Sequence, residues 1–227
     1  MKIRQILAVG ATSIQLVSMG GINALAEAPV PSSEETKSNI ILEASPAITP
    51  PLDPENPDEP GGLDPNNPGT GEEGVLTIDS VPTIQFGTKI IETKGMVYKS
   101  ENEHPFIQIS DRRGTGEGWG LKAKISSFQT TGEAIKTLKG AELTLQSPEV
   151  KTTSENVSKA PEVPESLTLN GTDKAIFTAK EGQGKGTWLD VYSGIKDENE
   201  KISLAVPSGN EAGSYQATIT WTLESAI

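Results

Sequence analysis

The sequence contains no cysteine and a single histidine, His104. Without cysteine there is no disulfide framework, no thiol nucleophile and no thiolate metal site. One histidine cannot build a zinc site, which needs several His or Cys ligands. It sits in a polar Glu101-Asn102-Glu103-His104-Pro105 run, with no Gly-x-Ser-x-Gly elbow anywhere to serve. Basic clusters are also missing. With 19 Lys and Arg against 31 Asp and Glu, the formal charge is −12. Phosphate backbones and anionic lipid need clustered cations, so nucleic acid and charged membranes are poor partners. Two glycine-rich stretches, Gly114 to Gly118 and Gly182 to Gly186, lack the Gly-Lys-Ser/Thr ending of a phosphate loop. They are expected to be flexible turns. Carboxylates are plentiful, but nearly all fall in loops or on outward strand positions, with no cleft-like setting for a glycosidase pair. The chain is expected to be non-catalytic, with no metal and no cofactor.

Long apolar runs are scarce as well. The one near the N-terminus, Ile6 to Val17, is too short and broken for a membrane span of about 20 residues. Lys2 and Arg4 precede it, and Ala24-Leu25-Ala26 follows as a small-x-small cleavage site. That order predicts a secretory signal peptide over residues 1–26. No later run predicts a membrane span in the mature chain. No lipobox cysteine and no LPxTG-like sorting sequence is readable. Retention at a cell surface would therefore be non-covalent.

Residues 27–74 contain ten prolines, no aromatic residue, and eleven acids against Lys37. So little apolar surface predicts a disordered, acidic, Pro-rich linker, extended by proline and by charge repulsion. Within it, Leu52-Asp53-Pro54-Glu55-Asn56-Pro57 returns as Leu63-Asp64-Pro65-Asn66-Asn67-Pro68. Asp and Asn oxygens raise a calcium site as one reading. Prolines at this density resist the convergence of six to eight oxygens, so a solvated spacer is the expectation.

All aromatic residues lie in residues 75–227. Short β-prone runs recur there between Gly, Pro, Asn and Asp punctuation. Tyr215, Ala217, Ile219, Trp221 and Leu223 alternate with Gln216, Thr218, Thr220, Thr222 and Glu224. Strict period two is the mark of a half-buried strand. Trp119, Leu121, Ala123 and Ile125 repeat the pattern. Residues 131–138 are expected to form a helical turn, and 149–165 a long surface loop. The predicted class is all-β: one sandwich- or barrel-like domain over 75–227.

Two elements share one spacing, Trp119-Gly120-Leu121 and Trp221-Thr222-Leu223. Trp and Leu at i and i+2 of a strand point to one face and form an apolar plate. The plates are either core anchors or contact surfaces. Around them stand Val81-Pro82-Thr83-Ile84-Gln85-Phe86-Gly87, Asp111-Arg112-Arg113-Gly114-Thr115 before the first plate, and Leu138-Lys139-Gly140-Ala141-Glu142-Leu143. In this order the set resembles the WxL domain of surface proteins from Gram-positive bacteria. The resemblance implies non-covalent attachment to the cell wall, with peptidoglycan or another wall polymer as ligand. It also implies association with other WxL proteins and with membrane-anchored WxL-interacting proteins. An assembly subunit held by such a partner is the alternative. The binding role carries over to Trp119, Leu121, Trp221 and Leu223, and less firmly to Asp111 and Arg112. Tryptophan suits sugar faces and protein interfaces alike.

Overall fold

The computed structural model describes residues 33–62, 64–132 and 134–225. The expected export signal, 1–26, lies outside the described residues. The chain divides into two units, Met1–Ile40 and Ile41–Ile227. In the first, residues 33–40 are exposed and without regular structure.

The second unit holds thirteen strands and, among the described residues, no helix. They are β1 (Leu76–Ser80), β2 (Met96–Ser100), β3 (Phe106–Asp111), β4 (Trp119–Ile125), β5 (Gln129–Thr130), β6 (Glu142–Gln146), β7 (Glu149–Thr152), β8 (Ser166–Leu169), β9 (Lys174–Ala179), β10 (Gly186–Val191), β11 (Asn199–Val206), β12 (Tyr215–Gln216) and β13 (Ile219–Ser225). All pair antiparallel. The sheets are β1-β3-β10-β7, β2-β11-β6-β8, β13-β4-β9 and the short pair β12-β5. The architecture is an all-β sandwich, as expected.

Alternation sets the core. Ile202, Leu145 and Leu167 face one another across β11, β6 and β8, as do Leu204, Leu143 and Leu169 one step along. Ile107 and Ile109 of β3, Trp188 and Tyr192 from the β10 segment, and Ile176 and Phe177 of β9 join the same core. Each fully buried side chain of this kind contributes about 1.5–3 kcal/mol.

Two expectations fail locally. The described residues of 131–138 form no helical turn: Thr137 bridges back to Gln129, and the Thr130 amide donates to the Lys136 carbonyl. Residues 149–152 are strand β7, not loop. They are polar on their exposed side, yet β10 offers a full ladder partner from Trp188 to Val191.

The larger correction concerns the linker. Residues 49–74 are not a free spacer but a strap bonded to the sheet β1-β3-β10-β7. Leu52 closes a small apolar cluster with Phe106, Leu189 and Val191 on the outer face of that sheet. Beneath the strap lies a buried polar seam. Gln108 accepts from the Leu52 amide (2.8 Å) and donates to the Pro50 carbonyl and to Asp79, each at 3.1 Å. Asp79 also accepts from Ser110 (2.6 Å) and Thr77 (2.7 Å). Burial pushes its carboxyl above the usual range, against those bonds. Further along, Thr70 donates to the Asp79 carbonyl, and Lys151 to the Pro54 carbonyl, both at 2.8 Å. Counting apolar residues underestimates this segment, because hydrogen bonds to a polar seam hold it.

The internal repeat has a structural use here. Asp53 Oδ1 accepts from the Glu55 and Asn56 amides, and Asp64 Oδ1 from the Asn66 amide. These are Asx turns. The second copy then buries Asn67, which accepts from the Phe106 amide (2.9 Å) and donates to Ser80.

Candidate functional site

Strand β4 passes through the middle of its sheet, between β13 and β9. Its inward residues Trp119, Leu121 and Ala123 are 0% exposed. The Trp119 ring meets Phe177 edge-on, centroids 5.0 Å apart at 84°, a favoured aromatic geometry. Its indole N–H donates to the Gly184 carbonyl at 3.0 Å. Gly184 sits at φ +70, and a Cβ there would lie 2.8 Å from the indole nitrogen and 2.4 Å from the Ala179 Cβ. The glycine-rich stretch is thus a lid closed over Trp119. Its partner stretch joins it, since the Gly182 amide donates to the Gly116 carbonyl (2.8 Å).

Strand β13 carries the second plate. The register places Leu223 opposite Leu121, Trp221 opposite Ala123 and Ser225 opposite Trp119. Elements about a hundred positions apart in sequence therefore share one face of two neighbouring strands. Their environments differ. Trp221 and Leu223 are only half-buried, because β13 is the last strand of its sheet. Trp221 and Ile219 line an open groove of about 360 Å³ together with Val81, Ile84, Phe86 and Phe128. On the outer face, Lys122 pairs with Glu224 at 2.6 Å and Lys124 with Asp173 at 3.4 Å.

Asp111 and Arg112 do not join this face. Asp111 is buried and pairs with Arg113. The guanidinium donates twice to it, through Nε (2.9 Å) and Nη2 (2.8 Å). Arg113 also donates to the Gly118 carbonyl (2.8 Å) and to Ser225 Oγ (2.5 Å). The Asp111 bond raises the Arg113 pKa and locks its charge. Arg113 so ties the turn before β4 to the end of β13. Arg112 turns the other way. It donates to the Gly74 carbonyl (2.7 Å) and to Thr49, clamping both ends of the strap.

Of the six candidate residues, the structure brings Trp119, Leu121, Trp221 and Leu223 together and leaves the last two within reach of solvent. Sequence reasoning missed Arg113, adjacent to the residue it named. It also missed the strap. The signal was present in Trp188-Leu189-Asp190-Val191-Tyr192, which is apolar on both faces and so calls for cover on both sides.

The domain is all-β, and its two Trp-x-Leu elements lie on one face of the neighbouring strands β4 and β13. The family model of the WxL domain, described as surface cell wall-binding, matches residues 30–226. The chain belongs to the WxL family of surface cell wall-binding domains. The match takes in the strap as well as the strands. No curated protein and no solved structure matches the chain.

Proposed function

We propose that the chain is a non-catalytic attachment module that holds to the cell wall non-covalently, with peptidoglycan as its ligand. The contact is carried by the β13 face, centred on Trp221 and Leu223. The observation behind this reading is the asymmetry of the two plates. Trp119 is fully enclosed and hydrogen-bonded, whereas Trp221 remains half-open beside a groove. Trp119 and Leu121 then act through the core, by fixing the strand on which Trp221 sits.

Co-sedimentation with washed, protein-free sacculi tests it. Trp221→Ala is expected to lower sedimentation by roughly tenfold while the domain still melts cooperatively. Trp119→Ala is expected to lose about 3–5 kcal/mol of stability first. Undiminished sedimentation of a Trp221→Ala, Leu223→Ala double variant would refute the assignment.

A second reading is an assembly subunit held by a membrane-anchored WxL-interacting protein. The apolar lining of the groove favours it, since a protein segment fills such a groove better than a sugar does. Capture by that partner with no sedimentation on bare sacculi would select it.

A further inference from the structure

Among the described residues the outer edge of β13 takes no backbone bond, whereas the outer edges of β1 and β9 are covered. The outer side of β1 is taken by the strap: the Ser80 bridge to Gly69 and the Asp79 carbonyl bond from Thr70 cap it. The outer side of β9 is taken by Glu162, which exchanges both backbone bonds with Thr178. Along β13 the ladder phase can be worked out. The Ser126 amide donates to the Thr218 carbonyl (3.0 Å), which makes that a hydrogen-bonded pair. Thr220, Thr222 and Glu224 share its phase and spend their backbone groups on β4. Ile219, Trp221 and Leu223 lie between, so their N–H and C=O groups point away from β4. Among the described residues no bond takes up those groups. A long bare edge beside apolar side chains is a template for another strand.

A matching segment exists elsewhere in the chain. Ile40, Ile41 and Leu42 are 82%, 85% and 85% exposed, consecutive apolar residues in an otherwise polar, acidic stretch. As an extended strand, Ile40, Leu42 and Ala44 share one face, with Asn39, Ile41 and Glu43 on the other. Among the described residues, nothing bonds to the outer edge of β13, and the Ile40–Leu42 side chains are exposed.

We infer that the Ile40–Leu42 segment of one copy adds as a strand to β13 of a second copy, with Ile40 and Leu42 seated in the groove beside Trp221. Main-chain bonds to Ile219, Trp221 and Leu223 supply the pairing, and the alternate side chains supply the fit. The arrangement is head-to-tail, since each copy donates one segment and accepts another, and it extends into chains of copies unless it closes into a ring. Such self-association uses the same β13 face as the proposed wall contact and competes with it.

Analytical ultracentrifugation of the full chain over a range of concentrations tests this, with hydrogen exchange at β13. The expected result is concentration-dependent association. Ile40→Asp with Leu42→Asp weakens it at least about tenfold, while Ile41→Asp, on the other face, stays within about threefold. All three positions are exposed, so folding is not at stake. A chain that stays monomeric overturns the inference, as does an equal loss from both variants. A monomer whose β13 amides are protected, and lose protection in the Ile40→Asp, Leu42→Asp variant, shows that the chain's own segment fills the edge and overturns the exchange between copies. Sacculus sedimentation of the double variant separates this result from the wall reading: it persists if Trp221 binds the wall by itself.

Discussion

Asp190 offers the sharpest test of the core. It stands on β10 between Trp188 and Tyr192, opposite Ile107, and it faces the main core. Among the described residues its one side-chain bond is accepted from the Tyr192 hydroxyl at 3.0 Å, and Oδ1 finds no partner. Among the described residues no cation pairs with it. Burial therefore pushes its carboxyl up to about 8 from an ordinary 3.8, with the Tyr192 bond a smaller opposing effect. Below pH 3.8 both folded and unfolded chains hold the proton, and Asp190 adds no pH dependence. Between 3.8 and about 8 the unfolded chain releases it while the folded chain keeps it. Stability then falls as pH rises, by about 1.4 kcal/mol per pH unit. At pH 6 the accumulated loss is about 3 kcal/mol, and above pH 8 the slope vanishes. Asp190→Asn keeps the shape and removes the proton. Its amide still lacks a partner, a constant cost of about 1–3 kcal/mol. The variant is expected to gain about 3 kcal/mol on the wild type between pH 3.8 and pH 6. Urea denaturation followed by tryptophan fluorescence at fixed ionic strength measures this. The difference between the two proteins cancels other titrating groups, including Asp79. A difference that stays flat from pH 4 to pH 7.5 would refute the reasoning.

Two further outcomes follow from the turns around β4. Gly184→Ala places a Cβ against Trp119 and Ala179 at φ +70, and should cost about 2 kcal/mol or more. Gly182→Ala, at φ +80 with open space around it, should cost only about 1–2 kcal/mol; equal costs in denaturant titrations would show that Trp119 yields easily. Arg113→Ala leaves the buried Asp111 carboxylate unpaired and should cost about 3–5 kcal/mol. Hydrogen exchange should show the Ser225 end of β13 fraying in the same variant, and a loss below about 1 kcal/mol would argue against the tie.

The attachment module proposed here rests on an unequal pair. Two identical tripeptide spacings lie across one strand pair, yet only one is open. Position in the sheet explains the difference. Trp119 is flanked by β13, β9 and a glycine lid, while Trp221 has a neighbour on one side alone. The burial of Trp119 and the partial exposure of Trp221 are consequences of the same strand order.

The sequence by itself determined the alternation of the two Trp-x-Leu strands and which way their side chains point. Period-two alternation in Ile219–Leu223 and Trp119–Ile125 needs no tertiary knowledge, because the pleat alone enforces it, but the longer run expected from Tyr215 breaks at 217–218, and Tyr215–Gln216 pairs with β5 instead. The ordered motifs likewise carried the family. Alternation assigns a face but not a place in the sheet, so only the tertiary structure decided that β4 is central and β13 an edge. Pairing across about a hundred residues decided that Leu121 meets Leu223. Composition misjudged residues 49–74, because a few anchors, Leu52 and Asn67 among them, meet a polar seam that exists only after β3 and β10 pair. Adjacent arginines look alike in a sequence. Successive strand-end residues point opposite ways, so Arg113 turned to Asp111 and Ser225 while Arg112 turned to the strap.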